Sequence, residues 1–446
     1  MAISYSAGLA KVLDAAQQQR SSRQDWKSRV RLQDAIGGTA AQDVLSPKSL
    51  PEHDTSAMDG YAVRSQATAT ASPNTPVMFM VTGTIAAGDD PGETRSAGAV
   101  TEQDSTSGLH TCVEIMTGAR FPNGYDACVK VEDTMPVDGQ TGILITKPVP
   151  PNANRRVAGS DILRGNVVMR QGDTIQPSHL LPLASLGMDA IPLRQRPCVG
   201  IWSTGKEIVK GNGSTRDANG PYLTAAVRDM GLQADFLGVL DDEPASLHAH
   251  VEAAAASGQF DVLLTTGGVS RGRFDHVLAV VDEMGAETIF HGLSIRPGHP
   301  VLFAMLPGEG AKTALFGLPG NPGAAAACFR FLTVPYLKEL QGQARELPVA
   351  AKLRRQPGTP GEKRTCSVKP DRDCFQHGIL SVSAAGQLMV EASAEQSPFK
   401  LSPFKTANCW IHFQPESPES GPGPGLVECY PISPTGAVLL SPRLQN

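Results

Sequence analysis

Residues 260–277 read FDVLLTTGGVSRGRFDHV, residues 290–303 read FHGLSIRPGHPVLF, and residues 314–327 read ALFGLPGNPGAAAA. Each stretch is an apolar run that empties into a turn rich in Gly, Ser or Pro. In a parallel sheet, the C-terminal ends of the strands carry the binding turns. Three such turns so close in sequence predict one shared crevice. It would offer backbone amides, carboxylates and basic side chains, a set suited to phosphates and oxyanions.

Working outward, PCVGIWSTG (197–205) reads as another strand and glycine turn. A helix is expected from Pro221 to Met230, stopped by Gly231, then a strand over 234–240 and a helix over 245–256. Another helix is expected over 274–284. Asn321 is expected to cap a helix with Pro322 at its first position, running on to Leu340. Alternating strands and helices predict a three-layer α/β domain with a largely parallel sheet over 197–343.

Towards the N-terminus, Leu9, Val12, Leu13 and Ala16 share one helical face, and a second helix is expected to end at Gly37 and Gly38. From residue 41 to 196 short apolar runs are broken by turn residues, as in VMFMVTGTI (77–85) and GILITKPV (142–149), which predicts β-rich structure in more than one small unit. The last hundred residues carry short strand patterns such as CFQHGILSVS (374–383) and CWIHFQ (409–414), expected to form a small β-barrel or sandwich. The fold class is therefore α/β plus β, in several domains.

Composition narrows the function. A chain of 446 residues is too long for one ordinary core. A net charge of −5, no basic block and 5% aromatic residues argue against nucleic acid as the main ligand. The eight cysteines include no CxxC pair, so they read as buried or surface thiols rather than zinc ligands. No run reaches the roughly 18 apolar residues of a membrane span, and the first residues lack an apolar signal core. A reducing, cytoplasmic setting is the expectation.

Four segments carry candidate chemistry. TTGGVS (265–270) pairs two glycines, which let a backbone approach a phosphate closely, although a plain tight turn needs no more. STGKE (203–207) adds hydroxyls and a carboxylate at another strand end. Asp217 and Asn219 precede a helix, where simple capping is the competing reading. GLPGNP (317–322) is more specific, because two prolines and two glycines fix an unusual path into a helix N-terminus. In the first half, Asp59 in SAMDGYAV (56–63) and the acids Asp126, Glu132 and Asp133 read equally well as turn residues and a solvated face.

Taken together, DVLSP (43–47), HDTSAMDGYAV (53–63), IMTGARFPNGYDACVKVED (115–133), AGSDI (158–162), STGKEI (203–208), DANG (217–220), TTGGVSRGRFD (265–275), IRPGHP (295–300) and GLPGNP resemble the molybdopterin molybdenumtransferase family, bacterial MoeA and the eukaryotic gephyrin E domain. They occur in the family's order across residues 1–343, and the remainder fits by length and strand pattern. The resemblance implies a homodimer of four-domain subunits. In this chain those would be 1–54 with 151–196 (a discontinuous linker and dimerisation domain), 55–150 (an inserted β-rich domain), 197–343 (molybdopterin-nucleotide binding) and 344–446 (the C-terminal β domain). The implied active site lies between the third and fourth domains of one subunit and the first two of the other.

The implied reaction inserts molybdate into adenylylated molybdopterin, with AMP released and a divalent cation such as Mg2+ assisting. Carried over by motif, Asp59, Asp161, Asp217 and Asp275 are the implied catalytic acids. Thr117, Ser203, Gly205, Gly267, Gly268, Ser270, Pro319, Gly320 and Asn321 would hold the pterin nucleotide. Asp217, Glu207 and Asp275 would hold the cation, as hard oxygen ligands suit magnesium. A separate molybdopterin adenylyltransferase is implied as a partner, with apo-molybdoenzymes or a carrier receiving the product.

The molybdate pocket departs from the family pattern. The usual K-P-G-K-P turn here runs Arg296-Pro-Gly-His299-Pro, and Gly292 stands where a Lys or Arg is usual. Arg296 brings a rigid fork in place of a point charge, while a histidine carries little charge near pH 7. Arg273 stands where many relatives have an acid, and His377 stands near a usual arginine. The leading reading is an active molybdotransferase with a divergent oxyanion pocket. The alternatives are a non-catalytic molybdopterin-binding or scaffold paralogue, and an enzyme turned to another nucleotide-linked substrate.

Overall fold

The computed structural model describes residues 2–23, 26–91, 110–137, 142–205, 208, 216–240, 243–269, 276–308, 312–354, 372–393, 396–415 and 425–435. The chain forms two compact units: residues 1–42, 171–176 and 190–446, and residues 43–170 with 177–189.

In the larger unit a six-stranded sheet has the order Gln233–Leu240, Cys198–Thr204, Val262–Thr266, Thr313–Leu318, Leu302–Leu306, Glu287–His291. The first four strands are parallel and the last two junctions antiparallel. The central strands are apolar on both faces because helices cover both. Val199, Ile201, Val262, Leu264 and Phe316 point into a core shared with the N-terminal helix and the helices Asn219–Asp229 and Val334–Leu340. Trp202, Leu263 and Leu315 point the other way, against the helices Pro244–Ala256 and Val277–Glu283. This is the expected three-layer arrangement.

The opening helix, Tyr5–Ser21, is capped by Ser4, whose hydroxyl accepts the Ala7 amide at 3.2 Å. It buries Leu9, Val12, Ala15 and Ala16. The helix expected before Gly37 is absent. Lys27–Arg31 is instead a strand paired antiparallel with Ala190–Arg194, followed by the single 3-10 turn Leu32–Asp34. The partner strand lies 160 residues away in sequence, so local pattern could not show it.

The helix expected to run unbroken to Leu340 is interrupted by a π-helical turn, Phe329–Thr333. Pro335 has no N–H for the Phe331 carbonyl and its ring crowds that turn. The Tyr5 hydroxyl donates to this carbonyl at 3.3 Å, so the missing bond is replaced from the N-terminal helix.

The C-terminal segment closes a five-stranded barrel, in the order Asp373–Val382, Leu388–Ala392, Val349–Leu353, Leu426–Pro431, Cys409–Phe413, with the last pairing back to the first. The short strand Ile295–Arg296 leaves the α/β domain and adds in parallel to Asp373–Cys374. The two halves of this unit are thus joined by backbone pairing.

The smaller unit contains a six-stranded sheet ordered Ala127–Lys130, Gly60–Val63, His110–Ile115, Val77–Ile85, Gly142–Ile145, Thr134–Pro136. Gly60 crosses so close to its neighbour that an added Cβ would lie 1.9 Å from the Val129 carbonyl oxygen. No helix among the described residues is long and apolar enough to cross a membrane.

Candidate functional site

The register of the parallel strands sets the crevice. Ser203 pairs with Thr266, and Thr266 with Leu318, so three strands end on one level. From Cys198–Thr204 the chain passes to one side and then crosses to the other, and such a reversal opens a crevice at the strand ends. The turns that follow are Thr204–Gly205, Gly267–Gly268 and Pro319–Gly320.

These turns lock one another. The Thr204 hydroxyl donates to the Thr266 carbonyl at 3.0 Å, and the Gly267 amide to the Leu318 carbonyl at 2.9 Å. Gly267 (φ +95°) and Gly268 (φ +66°) occupy conformations that L side chains rarely adopt. A Cβ on Gly267 would also lie 2.7 Å from the Thr204 hydroxyl. Ser203 donates to Asp217 at 2.8 Å, and the other Asp217 oxygen accepts the Asn219 and Gly220 amides at 3.0 and 3.1 Å. Asp217 therefore caps the helix Asn219–Asp229 through one oxygen and ties it to the first turn through the other, which among the described residues accepts only the Ser203 hydroxyl and keeps a further acceptor site.

Asn219 is a residue whose role the sequence did not reveal. Its buried side-chain amide donates to the Gly320 carbonyl at 2.8 Å, pinning the third turn to the first helix. The D-x-N spacing is the sequence signal for it, and helix capping accounts for the same spacing. Asn321 sits at the N-cap of Pro322–Cys328 without a side-chain capping bond; its carbonyl accepts the Ala324 and Ala325 amides instead. Its side chain is left to face the pocket it helps to line.

Beside these turns is a cavity of about 350 Å³, lined on one wall by Arg296, His299, Pro319 and Asn321. Arg372, Cys374 and Pro398 of the C-terminal segment form the other wall. Arg296 is exposed. His299 Nδ1 lies 2.6 Å from the Leu293 carbonyl, so it is the N–H nitrogen, and Nε2 is the nitrogen left for a ligand. Gly298 (φ +103°) packs its backbone against Cys328, where an added Cβ would lie 2.3 Å from the sulfur. Gly292 has φ +92°, so a basic side chain there would strain the backbone. The Gly323 amide donates to the Pro398 carbonyl at 2.8 Å and closes the seam.

His377 does not line the pocket. It is buried between Trp410 and Phe404, with ring centroids 3.9 and 4.3 Å away, and burial pushes its pKa down to about 4. It belongs to the barrel wall as a neutral ring.

In the smaller unit, Asp59 and Thr117 meet although 58 residues separate them. Asp59 Oδ1 accepts the Thr117 amide at 2.6 Å and its hydroxyl at 2.7 Å, which holds this carboxyl below the usual range. Asp161 is exposed and shares no hydrogen bond with that pair; its own amide donates to the Leu50 carbonyl at 3.1 Å. Asp54, unremarked in the sequence, accepts the Ala158 amide at 2.7 Å and pairs with Arg155, fixing the loop that leads to Asp161.

Glu207, Ser270, Arg273 and Asp275 lie outside the described residues. Among the described residues no three acidic, His or Cys side chains are grouped to hold a metal ion. Of the three implied cation ligands, Asp217 alone lies within the described residues. The seven described cysteines are buried and unpaired, and burial raises the thiols of Cys112, Cys128, Cys198, Cys328 and Cys374.

Glycine turns at a sheet's switch point, beside a pocket lined by Arg296 and His299, suit a phosphate-bearing ligand and an oxyanion. Comparison with known proteins makes this particular. Residues 3–187 match the family described as the MoeA N-terminal region (domain I and II), and residues 200–339 match a probable molybdopterin binding domain. A molybdopterin molybdenumtransferase of Haemophilus influenzae is 33% identical over 396 residues, covering 87% of this chain and 89% of that protein. One from Synechococcus elongatus is 32% identical over 367 residues, covering 80% and 86%. The crystal structure of a MoeA protein from Pyrococcus horikoshii matches 97% of this chain and 99% of its own, with a TM-score of 0.70 and 25% identity. The chain belongs to the molybdopterin molybdenumtransferase family.

Proposed function

We propose that this chain inserts molybdate into adenylylated molybdopterin, releasing AMP, in molybdenum cofactor biosynthesis. The observation that carries the reading is the pairing of two sites at one sheet edge. Level glycine turns present backbone to a phosphate-bearing ligand, and the Arg296–His299 pocket lies directly beside them. A pterin nucleotide seated on the turns would bring its sulfur end to an oxyanion held by cations, which is proximity catalysis in its simplest form.

In this reading Arg296 grips a molybdate oxygen through its planar fork, and His299 donates from Nε2 when protonated. Mg2+ is the proposed divalent cation, with Asp217, Glu207 and Asp275 as its ligands; it would supply charge neutralisation at the phosphates. Asp59 and Asp161 are the proposed acids of the smaller unit, with Thr117 orienting Asp59. The four-domain division, the homodimer, the separate adenylyltransferase, the receiving apo-molybdoenzymes and the cytoplasmic setting belong to the same proposal.

The test mixes purified protein with adenylylated molybdopterin, Mg2+ and molybdate, and follows AMP. Release that requires molybdate supports a molybdotransferase. Tight pterin-nucleotide binding with no release would overturn it in favour of a non-catalytic binding paralogue.

A further inference from the structure

The most unusual polar group in the larger unit is His412. It lies in the barrel strand Cys409–Phe413 and is 5% exposed. Its Nε2 is 2.8 Å from Asp373 Oδ1, and its Nδ1 is 2.9 Å from Glu428 Oε2. A neutral imidazole has one N–H and one lone pair. It could satisfy one carboxylate only by turning its lone pair on the other. The imidazolium alone satisfies both. Phe375 stacks on the ring at 4.7 Å and Tyr5 meets it in a T-shaped contact at 5.4 Å, so the ring is packed against aromatic neighbours and largely shielded from water.

The clamp sits one residue from the oxyanion pocket. Asp373 is flanked by Arg372 and Cys374, both of which line the cavity. Asp373 pairs with Ile295 and Cys374 with Arg296, and the Asp373 amide donates to the Ser294 carbonyl at 3.2 Å. Whatever fixes Asp373 therefore fixes both walls of the pocket at their shared backbone ladder. We propose that His412, as an imidazolium gripped by Asp373 and Glu428, is the positioning residue of the oxyanion pocket. It holds the strand start that carries Arg372 and Cys374 in register with Arg296. The inference rests on the molybdate reading of that pocket.

The charged and titratable neighbours are few. The N-terminal helix contributes Tyr5, and the π-helical turn contributes Arg330, which bonds the Pro431 carbonyl and Glu346. Arg345 and Glu346 follow that helix, and Tyr430 donates to Glu428 at 3.3 Å. Burial lowers the pKa of His412, but the bonds from Asp373 and Glu428 outweigh it, so the net shift is upward. A raised folded pKa makes the clamp's contribution complete below the ordinary histidine value, near 6.5, and lost as pH rises through the folded value. The pocket should therefore loosen on the alkaline side.

The test reads molybdate binding to the full chain by thermal-shift titration from pH 6 to 9, with amide hydrogen exchange over 372–378 in parallel, corrected for intrinsic rate. In the wild type, affinity should fall and exchange should rise together above the His412 titration. Glu428→Gln keeps the fold's packing and removes one carboxylate, so both curves should move to lower pH by about one unit. His412→Gln should weaken molybdate about tenfold and flatten the pH dependence. An unchanged pH profile in Glu428→Gln, or wild-type affinity in His412→Gln, would overturn the positioning role. Exchange that follows pH as described, with no molybdate binding at any pH, would instead overturn the molybdate reading of the pocket.

Discussion

The two walls of the candidate site are built on different principles. The strand-end turns are fixed by backbone: Gly267 and Gly268 at positive φ, Asp217 capping a helix, and Asn219 reaching the Gly320 carbonyl. The Arg296–His299 pocket is fixed by a seam between two folds, where Ile295–Arg296 pairs with Asp373–Cys374 and side chains from distant segments hold the junction. Backbone-built sites tolerate little change, because an added Cβ has nowhere to go. Side chains that project from a seam can vary while the backbone pairing beneath them keeps its shape.

Substitutions can break this comparison from either side. The largest effect is expected at Gly267→Ala, where both φ and the Thr204 hydroxyl oppose a side chain. A displaced turn should cost about a hundredfold in AMP release, since misplacement of about 1 Å has that effect. A single-turnover assay near wild-type rate would show that the turn is not part of the site. Next comes Asn219→Ala, which leaves the Gly320 carbonyl without its partner. Pterin-nucleotide affinity should fall about tenfold, checked by calorimetry, with the molybdate requirement unchanged.

Smaller effects sharpen the contrast. Gly292→Lys restores a basic residue but at φ +92°, so urea unfolding should show a loss of about 1 kcal/mol. Equal or greater stability would mean that this backbone relaxes freely. The smallest effect is at His377. Its folded pKa is depressed to about 4, so its contribution to stability is present above the ordinary value near 6.5 and is lost as pH falls towards 4. His377→Phe should remove part of the acid limb of the stability profile and leave molybdate affinity alone. An unchanged acid limb would contradict the burial argument.

The same contrast explains what the sequence made legible. The strand-turn-helix alternation, the turns at 265–268 and 317–322, and the helix start at Pro322 are local patterns that the structure shows where the pattern placed them, whereas the helix expected to start at Pro221 begins two residues earlier, at Asn219. Asp59 and Thr117 stand in separate sequence motifs, and their contact follows from a sheet whose order no local pattern shows. The sequence before Gly37 suggests a helix and gives no sign of the Lys27–Arg31 strand, because its partner lies far along the chain. The Asp373–His412–Glu428 clamp was invisible for the same reason: three residues on three barrel strands, each unremarkable in its own segment. Pro335 marked the π-helical turn in plain sight, but only the Tyr5 hydroxyl bond shows how the turn is tolerated.

The most direct measurement compares wild type with Arg296→Ala in molybdate-dependent AMP release, with adenylylated-molybdopterin affinity measured on the same preparations. If the two walls are separable sites for two ligands, half-saturation by molybdate should rise about tenfold or more, as loss of a charge-assisted contact implies, while pterin-nucleotide affinity stays within about twofold. A parallel loss of both, or a molybdate response untouched by the substitution, would contradict the account.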